Sequence, residues 1–239
     1  RIGPLHCAIF PGDQGFVTYQ RPNARDAASI LRLLPTAMAF FEEAGVRQIE
    51  WKTRGHDLIP GLEEALEEDR FHPEGLETVM MGRAEFLASA PEVPGVVIER
   101  AGGEDGILAA LSTADRLFGA EPSQARGRLF LEAIGRAKQR GLPEPQVWIA
   151  RLKGRIICSG RLEPVPGTEC AGLWGGVTDP DFRGLGIYRA LTAARAKAAL
   201  ALGATYLYSD STPMSRRILE RSGLTAITST TPFIRFAGA

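Results

Sequence analysis

Apolar residues recur along this chain with two periods, and each change of period marks an element. Leu129, Phe130, Ala133 and Ile134 fall on one side of a helical turn. Residues 123–141 therefore read as a helix, closed by Gly141 and Pro143. Residues 104–118 carry the same period. Between and after these helices come short apolar runs with the length and punctuation of strands: 95–100, 146–152, 155–163, 167–178, 205–210 and 224–236. Lys153-Gly154 predicts a hairpin between the second and third of these. Gly175-Gly176 predicts a bulge, or a close backbone approach, in the fourth. A long helix spans Gly186 to Leu202 with Gly203 as its stop, and a short one covers 213–223.

The resulting order is β-α-α-β-β-β-α-β-α-β. Antiparallel strands followed by βαβ crossovers imply a mixed sheet with helices on both faces. Part of that order is repeated in the first ninety residues. Residues 44–51 resemble 202–209, each following an apolar helix. Residues 61–71 parallel 213–223, residues 77–83 parallel 231–236, and residues 15–23 share the strand-then-Pro pattern of 172–180. The equivalent turn in this first copy, residues 21–29, has no glycine, and its helix contains Pro35, which should kink it or delay its start. The division expected is residues 1–90 and residues 91–239, joined through the Pro/Ala-containing stretch 87–95.

Composition narrows the function classes. The 239 residues balance 28 Lys+Arg against 28 Asp+Glu, which argues against a nucleic-acid or anionic-membrane footprint. No apolar run reaches a membrane span, since even 190–202 contains Arg195 and Lys197. Cys7, Cys158 and Cys170 are odd in number and widely spaced. They suit neither a disulfide framework nor a zinc site, and they point to a reducing compartment, the cytosol by default. His6, His56 and His72 lack metal-ligand spacing, so no metal is expected.

The candidate chemistry lies in residues 178–191, TDPDFRGLGIYRAL, which join a strand to a helix start. Such a start presents unpaired N–H groups and the positive end of a dipole, both suited to a phosphate; an ordinary glycine turn has the same look. A dinucleotide fingerprint would need G-x-G-x-x-G, but Gly184-Leu185-Gly186 continues to Arg189. A P-loop would need G-K-[ST], which is missing.

With strand, Arg183-x-x-Gly186 and long helix in this element order, residues 95–239 resemble the GNAT superfamily of N-acetyltransferases. The family signature [QR]-x-x-G-x-[GA] stands here as Arg183-Gly184-Leu185-Gly186, with Tyr188 where the pattern has a small residue. The resemblance implies an α/β (α+β) fold, a mixed and mostly antiparallel sheet flanked by helices. The N-terminal segment resembles a truncated copy, as in tandem members. The implied cofactor is acetyl-CoA. Its pantetheine arm would lie along the strand ending Gly176-Val177-Thr178, which splays from 205–210. Its diphosphate would meet the main-chain N–H groups of Gly184, Leu185, Gly186, Ile187 and Tyr188. Arg183 would add charge or brace the loop. A backbone N–H near Val177 would polarise the thioester carbonyl.

The implied reaction is direct attack of a small-molecule or peptide amine on the thioester. The family's usual proton donor is a Tyr in N-x-x-[AS]-x-x-[LI]-Y, and Leu219 stands at that position. Thr212 and Ser215 fall on the same motif, as cofactor contacts or as a helix cap. Glu169 and Tyr208 are the candidates for base and acid. Trp148 and Trp174 either line an acceptor pocket or pack a core. A CoA-binding sensor or interaction module without turnover is the alternative that the missing Tyr and the glycine-less first copy motivate. The sequence leaves oligomeric state open, a homodimer included.

Overall fold

The computed structural model describes residues 1–10, 12–19, 24–57 and 59–237, with side chains from residue 29 onward in the first helix. By contact the chain forms two compact units, Arg1–Val79 with Thr228–Ala239, and Met80–Ile227. This differs from a single cut near residue 90. The last strand returns to the first unit because its residues Thr230 to Phe236 pair with residues 48–54. The stretch 87–95, expected as a linker, packs within the second unit instead: Leu87 is buried in its core and Val93 packs against another apolar cluster of that unit.

The first unit contains β1 (Leu5–Phe10), β2 (Gln14–Tyr19), α1 (Ala24–Glu43), β3 (Gln48–Arg54), α2 (Leu62–Glu68), β4 (His72–Pro73) and the start of β5 (Glu77–Arg83). The closing strand β11 (Thr225–Phe236) completes its sheet in the order β1-β2-β3-β11, with β4 on β11. The β1–β2 hairpin is antiparallel, with Gly12 and Asp13 at positive φ in its turn. The β2–β3 pair is parallel. Alternation in β3 buries Ile49, Trp51 and Thr53 on one face. Ile30, Leu34, Ala37, Met38 and Phe41 of α1 supply the opposing stripe. This helix runs through Pro35 rather than starting after it. Of the glycine-less turn, residues 20–23 lie outside the described residues.

The second unit continues with α3 (Ala84–Leu87), β6 (Val96–Arg100), α4 (Gly103–Leu117), α5 (Gln124–Gln139), β7 (Gln146–Leu152), β8 (Arg155–Pro164) and β9 (Cys170–Thr178). A 3-10 turn at Pro180–Phe182, α6 (Ile187–Ala201), β10 (Tyr206–Ser211) and α7 (Pro213–Arg221) follow. Its strands lie in the order β10-β9-β8-β7-β6, antiparallel except for β9–β10. Lys153 and Gly154, both at positive φ, make the expected β7–β8 hairpin. Alternate residues of β7 serve opposite faces: Val147 and Ile149 pack with Ile107, Ala110 and Phe130 of α4 and α5, while Ala150 packs with Ile187 and Leu191 of α6. Helices therefore cover both faces of a mostly antiparallel sheet.

Candidate functional site

The site begins where two parallel strands part. β9 and β10 pair only at Cys170–Tyr206, Ala171–Leu207 and Gly172–Tyr208, after which β9 runs on to Thr178 without that neighbour. The far side of β9 explains part of this divergence. Ser159 faces Val177 and Arg161 faces Trp174, so Gly175 and Gly176 together oppose Gly160 in a bulge, with Gly175 at φ 56°. The bulge predicted at this glycine pair is thus present. Past it, Asp179 N–H donates to Ile157 C=O at 2.9 Å, which by antiparallel alternation turns the N–H and C=O of Thr178 toward the open edge. Val177, one residue earlier, faces Ser159 in the ladder, so the open-edge amide is that of Thr178 rather than of Val177.

Beyond Thr178 the chain folds into a braced turn. Asp179 is buried, ion-paired through its carboxylate to Arg155, and its Oδ1 accepts from Asp181 N–H at 3.1 Å. Arg183 Nε donates to Thr178 C=O at 3.2 Å, while the residue stays exposed. Gly184 and Gly186 lie at φ 79° and 81°, a conformation that L side chains rarely adopt. Space there is open: a Cβ on Gly184 would meet nothing within 4 Å, and one on Gly186 only Val93 at 4.0 Å. The first helical bond of α6 is Ala190 N–H to Gly186 C=O at 3.0 Å, so the N–H groups of Gly184, Leu185, Gly186, Ile187 and Tyr188 precede the helical ladder. Tyr188 lies against the bulge, where a Cβ on Gly176 would come within 2.7 Å of its ring.

Tyr208, the last β10 residue to pair before the divergence, stands edge-on to Trp174 with ring centroids 5.4 Å apart. Its cross-strand neighbour Gly172 has no side chain, and the Trp174 indole occupies the space a Cβ would take. The next residue in that row is Glu163 of β8, ion-paired to Arg161 at 3.1 Å. Burial, then the charges of Glu163 and Asp210, raises the Tyr208 pKa above its usual value, so its hydroxyl holds its proton at neutral pH. Glu163 is a residue that sequence reading missed; only the register, Glu163–Gly172–Tyr208 across three strands, brings it in.

Glu169 is not brought to the site. It is exposed, just before β9, where its C=O accepts from Tyr206 N–H at 2.9 Å, at the paired end of the strand. Eight residues of strand separate it from Val177, roughly 25 Å. Thr212 caps α7 by accepting from Ser215 N–H at 3.5 Å, and the Ser215 hydroxyl donates to Thr212 C=O at 3.2 Å, so both side chains serve the helix start. Leu219, at the position of the family's Tyr, is buried in the core. Trp148 is half-buried, its Nε1 donating to Gln146 Oε1 at 2.9 Å.

One charge beneath the site stands out. Arg195 of α6 is fully buried, and among the described residues no carboxylate pairs with it. Its guanidinium donates to Arg161 C=O and to Thr192 Oγ1, both at 3.1 Å, and lies 6.0 Å from the Tyr188 ring centre. Gly160, opposite the bulge, makes room for it: a Cβ there would sit 2.6 Å from Nη1.

A mixed sheet that opens between parallel strands beside a glycine turn and a helix N-terminus is the fold of GCN5-related N-acetyltransferases. Residues 112–223 match the Acetyltransferase (GNAT) family. Solved structures of the same fold include a GCN5-related N-acetyltransferase from Kribbella flavida, with TM-score 0.69 and 16% identity, covering 99% of this chain and 88% of that one. Another, from Sphaerobacter thermophilus, has TM-score 0.67 and 14% identity, covering 97% and 76%. A tandem GNAT protein from the clavulanic acid biosynthesis pathway has TM-score 0.65 and 15% identity, covering 98% and 79%. No curated protein matches the chain. Among the described residues no helix is long and apolar enough to cross a membrane.

Proposed function

We propose that the second unit transfers acetyl from acetyl-CoA to a primary amine by direct attack within a ternary complex. Bound acetyl-CoA supplies an activated acetyl thioester; the residues of this chain bind, orient and move protons around it. The observation that carries the reading is the coincidence of the β9–β10 opening with the open turn Arg183-Gly184-Leu185-Gly186 at the start of α6. Amides of Gly184 to Tyr188, with the helix dipole, suit a diphosphate without a metal. Arg183 keeps that turn in place through Thr178 C=O. The open edge of Gly176 to Thr178 offers backbone groups to an extended polar chain in the manner of an added strand.

An alkylammonium has a pKa near ~10.4, so the attacking amine must lose a proton, while a thiolate leaves with a conjugate-acid pKa near ~8.5. In this reading Tyr208, kept protonated by burial and neighbouring carboxylates, gives its proton to the departing thiolate in place of the Tyr that Leu219 replaces and regains one from the attacking nitrogen, so the amine's proton leaves on the thiol. Glu163, in the same cross-strand row, attracts the ammonium form and draws the acceptor to the opening. We also read the first unit as a degenerate copy of the fold, which places the whole chain with tandem members. The core position of Leu219 favours one rival, a CoA-binding module without turnover. Release of free thiol from acetyl-CoA across a panel of primary amines separates the two: transfer requires acceptor-dependent thiol, and tight CoA binding with none supports the silent module.

A further inference from the structure

Three guanidiniums converge on one cleft of the second unit. It has a volume of about 490 Å³ and is lined by Arg116, Leu117, Arg151, Arg155, Ile156 and Asp179 among others. The arginines come from three elements: Arg116 from the last turn of α4, Arg151 from the end of β7 and Arg155 from the start of β8. The β7–β8 hairpin brings the last two together, with Arg151 facing Ile156 across the ladder. Ile156 packs on the cluster that holds Ile107 and Ala110, which sets α4 and its Arg116 over the same spot.

A guanidinium carries five N–H donors, and here only some are used. Arg116, an exposed residue, donates Nη1 to Ser112 Oγ at 2.9 Å and Nη2 to Thr113 Oγ1 at 3.4 Å; among the described residues no carboxylate pairs with it. Arg151 gives Nε to Glu99 at 2.8 Å and Nη1 to Gly154 C=O at 3.1 Å, which leaves Nη2 over. Arg155 pairs through Nη2 with Asp179, which leaves Nε and Nη1, and its side chain is 64% exposed. The open donors thus sit where a solute reaches them. Both nearby carboxylates are engaged, and Asp115 of α4 is spent on Arg126 of α5. Even with Glu99 counted beside Asp179, three positive charges face two negative ones, a balance that draws anions.

The volume falls within the ~300–1,000 Å³ of small-molecule sites and exceeds what one phosphate fills. Leu117 and Ile156, both half-buried, add apolar surface to the lining. None of residues 184–188, whose amides precede the α6 ladder, lines it, so this is a second place for negative charge. We propose that the cleft binds a small organic polyanion, two or more carboxylates or phosphates on a short carbon frame. Those groups accept from the open N–H groups of Arg116, Arg151 and Arg155, in the manner of paired guanidinium–oxyanion contacts. The proposal is independent of acyl transfer.

Calorimetric titration of the full chain with citrate, and separately with fructose bisphosphate, at constant ionic strength tests it. At least one should give saturable heat with Kd in the millimolar range or tighter, and the tighter of the two tells carboxylate from phosphate recognition. Acetate, with one carboxylate, should bind at least about tenfold more weakly. Arg116→Gln should weaken the tighter probe about fivefold, and Arg116→Gln with Arg151→Gln more than about tenfold. The proposal is overturned by no saturable heat from either probe up to about 50 mM, or by equal affinity for acetate. Affinity in the double variant within about twofold of the parent also overturns it, since an anion held on the glycine turn gives that result. Circular dichroism checks each variant's fold. Should the double variant fail to fold, Arg116→Gln decides, and unchanged affinity there overturns the proposal.

Discussion

Two parallel strand pairs in this molecule open at their ends, and what each opening is filled with differs. In the second unit, β9 parts from β10 at a two-glycine bulge, and the chain turns through Gly184 and Gly186 into α6, leaving amides exposed. In the first unit, β2 parts from β3, and Arg54 closes over the end of β2 through Tyr19 C=O and Thr18 Oγ1. Its neighbours are carboxylates. One backbone arrangement thus leaves main-chain amides exposed in one unit and is closed by a guanidinium in the other. The deciding difference is in side chains and glycine placement rather than in strand topology.

The largest expected effect removes the glycine turn. Gly186→Val forces a β-branched residue into left-handed geometry and should weaken CoA binding by about 10- to 100-fold in calorimetry, while Arg54→Ala in the first unit leaves it unchanged. Equal losses from both would erase the contrast between the openings. Next comes the support of the bulge. Gly160→Ala drives a methyl group into the buried Arg195 guanidinium and should cost about 1–3 kcal/mol in denaturant unfolding. Adding Arg195→Met should restore most of that loss, because the flexible side chain yields to the methyl.

Tyr208→Phe should lower acceptor-dependent thiol release by about tenfold with little change in CoA affinity, whereas Glu169→Gln should stay within about twofold of the parent. The smallest effect is a pH dependence. Tyr19 has its pKa raised above 10 by burial first and by Asp57 next. Because the unfolded chain then loses this proton first, stability present below pH ~10 declines as pH rises through the folded value. Thermal melts should show a shallower alkaline decline for Tyr19→Phe than for the parent chain.

Much of this was legible in sequence because it follows from local rules. Gly175-Gly176 announced the bulge, Lys153-Gly154 the hairpin and Thr212 the cap, each from the backbone conformation or hydrogen bond its residue type supplies. The first strand was not legible: LHCAIF mixes polarity, and its value depends on pairing with β2. Arg195 reads only as a charge interrupting an apolar run; its burial depends on Gly160, in β8 far back in the sequence. Glu163 and Tyr208 share a row through a register that no periodicity encodes. The paired-end position of Glu169 likewise needed the knowledge of which end of β9 opens.

Stoichiometry of CoA binding tests the account most directly. Titration of CoA into the intact chain should give one site per chain, weakened about 10- to 100-fold in Gly186→Val and unchanged in Arg54→Ala. Two equivalent sites, or none, would contradict it.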